Sequence, residues 1–178
     1  MLTVAKEIFE AYLNSLCQGG EQACADYHYP KAWTHRATLA LIAAGRVALS
    51  TAEAAAKGHP DRYGQSEYLT LDVLLYNPET DLKPPLFIAE HENSPDPKRV
   101  QYAAWKLLIV ESRWRMLVAY FGEDCGIKSF DNLEELVREV CKHNPGKDIL
   151  LIGADYNVEP KTVKELRLIH KTAIVGSK

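Results

Sequence analysis

The chain has 178 residues, with 47% hydrophobic and 25% charged residues, which is typical of one average globular domain. Its formal net charge of −3 argues against a protein that coats nucleic acid by charge alone. No stretch approaches the roughly 20 continuous apolar residues that span a bilayer, and Glu7 and Glu10 interrupt the apolar run that a signal peptide needs. We therefore expect a cytoplasmic protein with no membrane partner, folded as a single domain over residues 1–178.

The cysteines give no framework for disulfides or metal. Four of them, at positions 17, 24, 125 and 141, form no CxxC pair, which predicts reduced thiols. Cys17, Cys24, His28 and His35 have zinc-ligand chemistry, but their gaps match no common zinc spacing. We therefore favour core cysteines and two unrelated histidines over a zinc site.

The first third of the chain is predicted to be helical. Apolar residues at helical spacing predict an amphipathic helix over residues 3–17. Pro30 suits the first turn of the next helix, which continues through an Ala- and Leu-rich stretch to about residue 49. A short Ala-rich helix is predicted over residues 52–57. These elements define a helical N-terminal segment over residues 1–58.

The remaining chain, residues 62–175, is predicted to form a mixed β-sheet flanked by helices. Asp131 with Glu134 resembles a capping box at the start of the second helix of this part. The sequence just before the final strand also allows a helical turn. The predicted strands are 67–76, 86–92, 115–121, 148–153 and 165–175, and the predicted helices are 97–111 and 132–143.

Three carboxylates carry the strongest chemical signal. Asp72 lies in an otherwise apolar strand, so its charge must be paired, solvated or metal-bound. Glu90 and Glu92 are two residues apart at the end of the next strand, so both side chains share one face and His91 points to the other. If these two strands pair, the carboxylates converge, and Mg²⁺ or Mn²⁺ would remove their mutual repulsion.

Asp72 followed by Glu90-x-Glu92 on the neighbouring strand resembles the PD-(D/E)XK nuclease superfamily, in its ExE variant. The predicted β-β-α-β-α-β order resembles the core of that family, over roughly residues 45–160. The resemblance implies a restriction-endonuclease-like α/β fold and metal ligation by Asp72 and Glu90. Glu92 stands where the family usually has the lysine that orients or activates water, and it would bind metal or orient water here.

The same resemblance suggests supporting residues. Some members place a substitute lysine on the following helix, where Lys106 is the first candidate and Lys98 the second. Gln101 matches a glutamine of RecB-type members, but it projects about 140° away from Lys106 on a helix. Glu53 would supply the acidic residue of the opening helix, and Glu67 is a weaker alternative.

The expected function is a metal-dependent nuclease that hydrolyses DNA, and a homodimer would suit duplex cutting at two sites. Two alternatives stay open: a non-catalytic nucleic-acid-binding or assembly module with the same fold, and an unrelated α/β domain. In the latter, Arg36 or Arg46 would neutralise Asp72. Tryptophans at 33, 105 and 114 are interpreted as core or interface packing residues rather than as base-stacking platforms. Lys98-Arg99 is interpreted as a solvated helix start that lies near enough to meet a phosphate.

Overall fold

The computed structural model describes residues 2–49, 53–56, 71–76 and 84–176. The described residues form six helices and a six-stranded sheet in which the spatial order of strands follows the chain, β1 to β6. The helices are α1 (Leu2–Leu16), α2 (Glu21–Tyr27), α3 (Pro30–Ala48), α4 (Pro97–Ile109), α5 (Phe130–Cys141) and α6 (Val163–Leu168). The strands are β1 (Glu53–Ala56), β2 (Val73–Tyr76), β3 (Phe87–Glu92), β4 (Trp114–Phe121), β5 (Ile149–Asp155) and β6 (His170–Val175).

The sheet is mixed. β1, β2 and β3 are successively antiparallel, β4 and β5 run parallel to β3, and β6 is antiparallel to β5. The two parallel steps are made through α4 and α5, since a parallel connection needs a crossover. The predicted class, an α/β fold with a mixed sheet flanked by helices, is therefore confirmed.

Each face of the sheet has its own apolar core. On one face, α1 and α3 cover alternate strand residues such as Val73, Phe87 and Val118. On the other face, α4 and α5 cover residues of the opposite parity, such as Leu74 and Leu117. Since β3 to β5 are buried on both faces, their sequences are nearly continuous apolar runs, and a charged residue inside them requires explanation.

The first two predicted helices are present, and Pro30 does begin α3. The predicted helix over residues 52–57 is wrong: residues 53–56 form β1, whose Ala54 is fully buried opposite Leu75. Alanine has the highest helix propensity, but here the unpaired edge of β2 supplies a ladder partner. The helical N-terminal segment therefore ends with α3, and it also contains α2, which was not predicted.

Two predicted boundaries also need correction. Helix α5 is capped by Ser129 and not by Asp131. The Ser129 hydroxyl accepts a hydrogen bond from the backbone N–H of Asn132. The helix starts earlier than predicted because Phe130 packs into the core beneath it. At the other end, residues 163–168 form α6, whose Thr162 and Glu165 make a capping box, so the last strand begins only at His170.

The close approach of α3 to the sheet gives a test of the fold. A Cβ added at Gly45 would lie 2.8 Å from Cδ1 of Phe87 and 3.1 Å from Cδ1 of Leu75. We expect Gly45→Ala to lower the free energy of unfolding by about 1–3 kcal/mol through overpacking, despite the better helix propensity of alanine. Chemical denaturation measures this. A gain of stability would contradict the packing of α3, and Phe87→Leu in the same background should restore part of the loss.

Candidate functional site

Asp72 and Glu90 are brought together by the pairing of β2 with β3. Val73 lies opposite Ala89 in the antiparallel register, so the next position places Asp72 beside Glu90. Asp72 was predicted inside a strand, but it forms a bend directly before β2. Its Oδ2 accepts a hydrogen bond from the backbone N–H of His91 at 2.7 Å, which holds the carboxylate against the end of β3.

Glu90 forms a buried ion pair with the helix that covers this face. Its Oε2 lies 2.7 Å from Nζ of Lys106 on α4, and the two side chains are only 5% and 13% exposed. With Asp72 placed beside Glu90 by strand pairing, this contact brings three of the predicted site residues into one place. In a buried pair of this kind, loss of either partner destabilises the fold because it leaves an uncompensated charge.

Burial raises the pKa of Glu90 to about 8, and the negative charge of Asp72 contributes to the increase, while Lys106 opposes both effects. A backbone hydrogen bond from Asp72 also opposes the increase. A nearby cation would favour the ionised form of Glu90. Of the two carboxylate oxygens, Oε1 is buried with no hydrogen-bond partner among the described residues.

These features fit a divalent cation held by Asp72 and Glu90. The buried Oε1 of Glu90 has no hydrogen-bond partner in the described part of the chain, and hard cations prefer carboxylate oxygens. Within the same described ranges, no three His, Cys, Asp or Glu side chains are grouped to hold a metal by themselves. Two carboxylates nevertheless suit Mg²⁺, which usually completes its shell with water and phosphate oxygens.

Glu92 lies on the strand face that its spacing predicted, but its carboxylate binds the turn after β3. It ends β3 and is half-buried, and its Oε1 accepts a hydrogen bond from the Ser94 N–H at 2.8 Å. The carboxylate thus stabilises the turn that leads to α4. It shares the face of Glu90 by strand parity without completing a cluster of three carboxylates.

The supporting candidates are scattered. Lys98 is exposed in the first turn of α4, and Gln101 is half-buried on that helix. Glu53 was expected on the opening helix, but it lies in β1 opposite Tyr76, because this segment extends the sheet. No acidic residue occurs in α3. Glu67 lies outside the described residues.

A buried network behind the site was not predicted. His91 points to the face opposite Glu90, as expected from parity, and its Nε2 lies 3.0 Å from the hydroxyl oxygen of Tyr120. That oxygen also accepts from Nε1 of Trp33 on α3 at 2.5 Å. Burial lowers the pKa of His91 to about 3 and so keeps the ring neutral. Since the backbone N–H of His91 binds Asp72, this network links α3 to the acidic site.

Two other sequence interpretations can now be judged. Arg36 pairs with Asp26 at 2.6 Å, so it is engaged away from Asp72. Cys17 and Cys24 are buried free thiols, whereas His28 is half-buried and His35 is exposed. Burial raises the pKa of both thiols, which disfavours the thiolate form that zinc binds.

Comparison with family models, curated proteins and solved structures gives no significant match. In the described ranges, no helix is both long and apolar enough to cross a bilayer. The assignment of a function therefore depends on the geometry of the site.

The raised pKa of Glu90 predicts how stability varies with pH. Glu90 has an ordinary pKa of 4.5 when unfolded and about 8 when folded, so the folded state retains a proton that the unfolded state loses. The free energy of unfolding should therefore fall as pH rises from about 4.5 to about 8. We expect Glu90→Gln to remove this contribution in urea titrations at several pH values. The exposed Glu159→Gln should leave the profile unchanged, and a parent-like profile in Glu90→Gln would contradict the assignment.

Removal of the positive charge of Lys106, the ion-pair partner of Glu90, should change the free energy of unfolding measurably. Lys106→Met leaves Glu90 buried without its ion-pair partner, and breaking a buried pair costs about 3–5 kcal/mol. We expect the loss to approach that order only at pH values above about 8, where Glu90 is ionised, and to be small where Glu90 is protonated. Lys98→Met, exposed on the same helix, should change stability by less than about 0.5 kcal/mol.

The double variant Glu90→Gln with Lys106→Met provides the internal check. It removes both charges, so it should be more stable than Lys106→Met alone, as a double-mutant cycle measures. Strict additivity of the two single effects would contradict the ion pair.

Proposed function

We propose that this chain is a divalent-metal-dependent nuclease that hydrolyses phosphodiester bonds of DNA. The observation that carries the proposal is the meeting of Asp72, Glu90 and Lys106, with Nζ of Lys106 2.7 Å from Oε2 of Glu90. Two carboxylates with one lysine are residue types that suit metal-assisted phosphodiester hydrolysis. Glu92 occupies the position where the superfamily usually has a lysine. Lys106, on the following helix, supplies a lysine to the site instead.

The arrangement of elements also supports the proposal. From β2 onward the described chain runs β2-β3-α4-β4-α5-β5 behind the helix α3. This is the order on which the resemblance to the PD-(D/E)XK superfamily rests, and we infer a restriction-endonuclease-like core. Asp72 directly precedes β2 and Glu90 lies in β3, so the two acidic residues come from adjacent strands.

In this proposal Asp72 and Glu90 would hold Mg²⁺ or Mn²⁺ through their carboxylate oxygens. The bound cation would polarise the phosphate and lower the pKa of an attacking water. Water supplies one oxygen to phosphorus and one P–O ester bond breaks, so one product ends in a phosphate monoester and the other in a hydroxyl. The proton released by the water is taken up at the departing oxygen or by solvent.

The protein groups have separate roles. The backbone N–H of His91 orients Asp72, and the network of His91, Tyr120 and Trp33 fixes that strand end from behind. Lys106 orients Glu90 and supplies positive charge where charge grows on the phosphate. Glu92, anchored to the turn by Ser94, lies one strand repeat further out and would orient water.

A second candidate function is a non-catalytic nucleic-acid-binding or assembly module of the same fold. The observation that favours it is the burial of Glu90, whose side chain is 5% exposed and already paired with Lys106. A retired active site would keep such a pair for stability alone. A homodimer is compatible with either function.

Cleavage of supercoiled plasmid and single-stranded DNA in Mg²⁺ and in Mn²⁺ tests the proposal. We expect metal-dependent cleavage that falls at least about 100-fold in Asp72→Asn, because removing one preorganised group at the reaction centre costs about 10²–10³ in rate. Asp131→Asn, an exposed acid on α5, serves as the matched control and should retain activity. Cleavage that survives in Asp72→Asn would contradict the site, and absence of cleavage with folded protein would favour the non-catalytic module.

A further inference from the structure

The outward side of α4 carries an exposed apolar stripe. Tyr102, Trp105 and Ile109 are 57%, 45% and 53% exposed, and their spacing of three and four residues places them on one side of the helix. The rings of Tyr102 and Trp105 are stacked, with centroids 5.7 Å apart and planes inclined by 23°. Trp105 is therefore not a core residue, whereas Trp33 is buried in the core.

The charge of the same helix is entirely positive. Residues 97–109 contain Lys98, Arg99 and Lys106 and no acidic residue. Lys98 and Arg99 are exposed in the first turn, on the same helix as the aromatic stripe. Cations beside flat, solvent-exposed rings complement a polyanion that carries flat bases, even though the chain as a whole is acidic.

The aromatic pair borders the candidate active site. Nζ of Lys106 lies 5.5 Å from the ring centroid of Tyr102 and 2.7 Å from Oε2 of Glu90. One side chain therefore contacts both the exposed stripe and the buried acidic pair. A polymer lying along the outside of α4 would therefore contact Tyr102, the ring that Lys106 faces.

We propose that Tyr102 and Trp105 form a stacking platform for the unpaired bases of a single-stranded nucleic acid, with Lys98 and Arg99 contacting its phosphates. Stacking on exposed aromatic rings requires bases that are not covered by their neighbours in a duplex. In the proposed nuclease, the platform would select single strands as substrates. This role of the bound strand rests on the proposed nuclease function. Binding itself depends on the helix surface alone.

The test is fluorescence anisotropy with a labelled oligothymidylate and its duplex with oligoadenylate, in EDTA so that no cleavage occurs. We expect the single strand to bind more tightly than the duplex. Loss of stacking on one ring weakens single-strand binding by about 5- to 150-fold, so Tyr102→Ala with Trp105→Ala should weaken it by at least that much. Trp105→Phe should keep most of the affinity, whereas Trp105→Leu, equally apolar, should lose it.

Tyr29→Ala is the matched control. Tyr29 is 67% exposed and its side chain caps no backbone group of α3, so its removal should leave affinity unchanged. Equal binding by Trp105→Leu and Trp105→Phe would overturn stacking. Failure of the parent chain to bind the single strand would overturn the platform. Light scattering gives a second check: the platform would also be overturned if the parent chain self-associates and the double variant abolishes that self-association rather than single-strand binding.

The two proposals fail separately in these measurements. Single-strand binding in EDTA without cleavage in Mn²⁺ would retain the platform and reject the nuclease. Cleavage of duplex plasmid in Mn²⁺, with no single-strand binding and no effect of the Tyr102→Ala and Trp105→Ala changes, would retain the nuclease and reject the platform.

Discussion

The burial of the Glu90 carboxylate within a sheet covered on both faces is the constraint on which the site depends. A lone charge there would cost several kcal/mol, so the surrounding chain is arranged around it. The sheet supplies Asp72 beside it, and α4 supplies Lys106 on the covering side. One oxygen of the Glu90 carboxylate is nevertheless left without a hydrogen-bond partner among the described residues, and the proposed cation site depends on that observation.

The same constraint links the two faces of the molecule. Strand parity sends Glu90 toward α4 and its neighbour His91 toward α3. The side chain of His91 is fixed by Tyr120, while its backbone N–H holds Asp72. The position of the acidic pair therefore depends on packing on both sides of β3. Substitutions at Trp33 or Tyr120 would act on the site through His91 without touching it.

The sequence predicted the placement of Asp72 and Glu90 better than the structure around them. The i and i+2 spacing of Glu90 and Glu92, with Asp72 on the preceding strand, was enough to place Asp72 beside Glu90 and His91 on the other face. It did not predict that Glu92 would bind the Ser94 amide, because a short turn is set by local backbone geometry that strand periodicity does not contain. The segment 53–56 was misassigned because its alanines favour a helix locally, whereas the neighbouring strand decides the structure.

The sequence also did not predict which aromatic side chains are exposed to solvent. Trp105 and Trp33 have the same side chain, yet one is on the outside of α4 and the other is 4% exposed and bonded to Tyr120. Helical periodicity groups Val100, Ala104 and Leu107 on one side of α4, and that side is buried. It did not reveal that the opposite side collects aromatic and cationic residues next to Lys106, since that depends on which helix covers Glu90.

The most direct measurement of the central claim is the titration of the Glu90 side-chain carboxyl by carbon NMR, with and without Mg²⁺. The account predicts an apparent pKa near 8 without the cation and a clear downward shift when Mg²⁺ is added, because the cation favours the ionised carboxylate. The shift should be lost in Asp72→Asn. An ordinary pKa without Mg²⁺, or a raised pKa that Mg²⁺ leaves unchanged, would contradict the account.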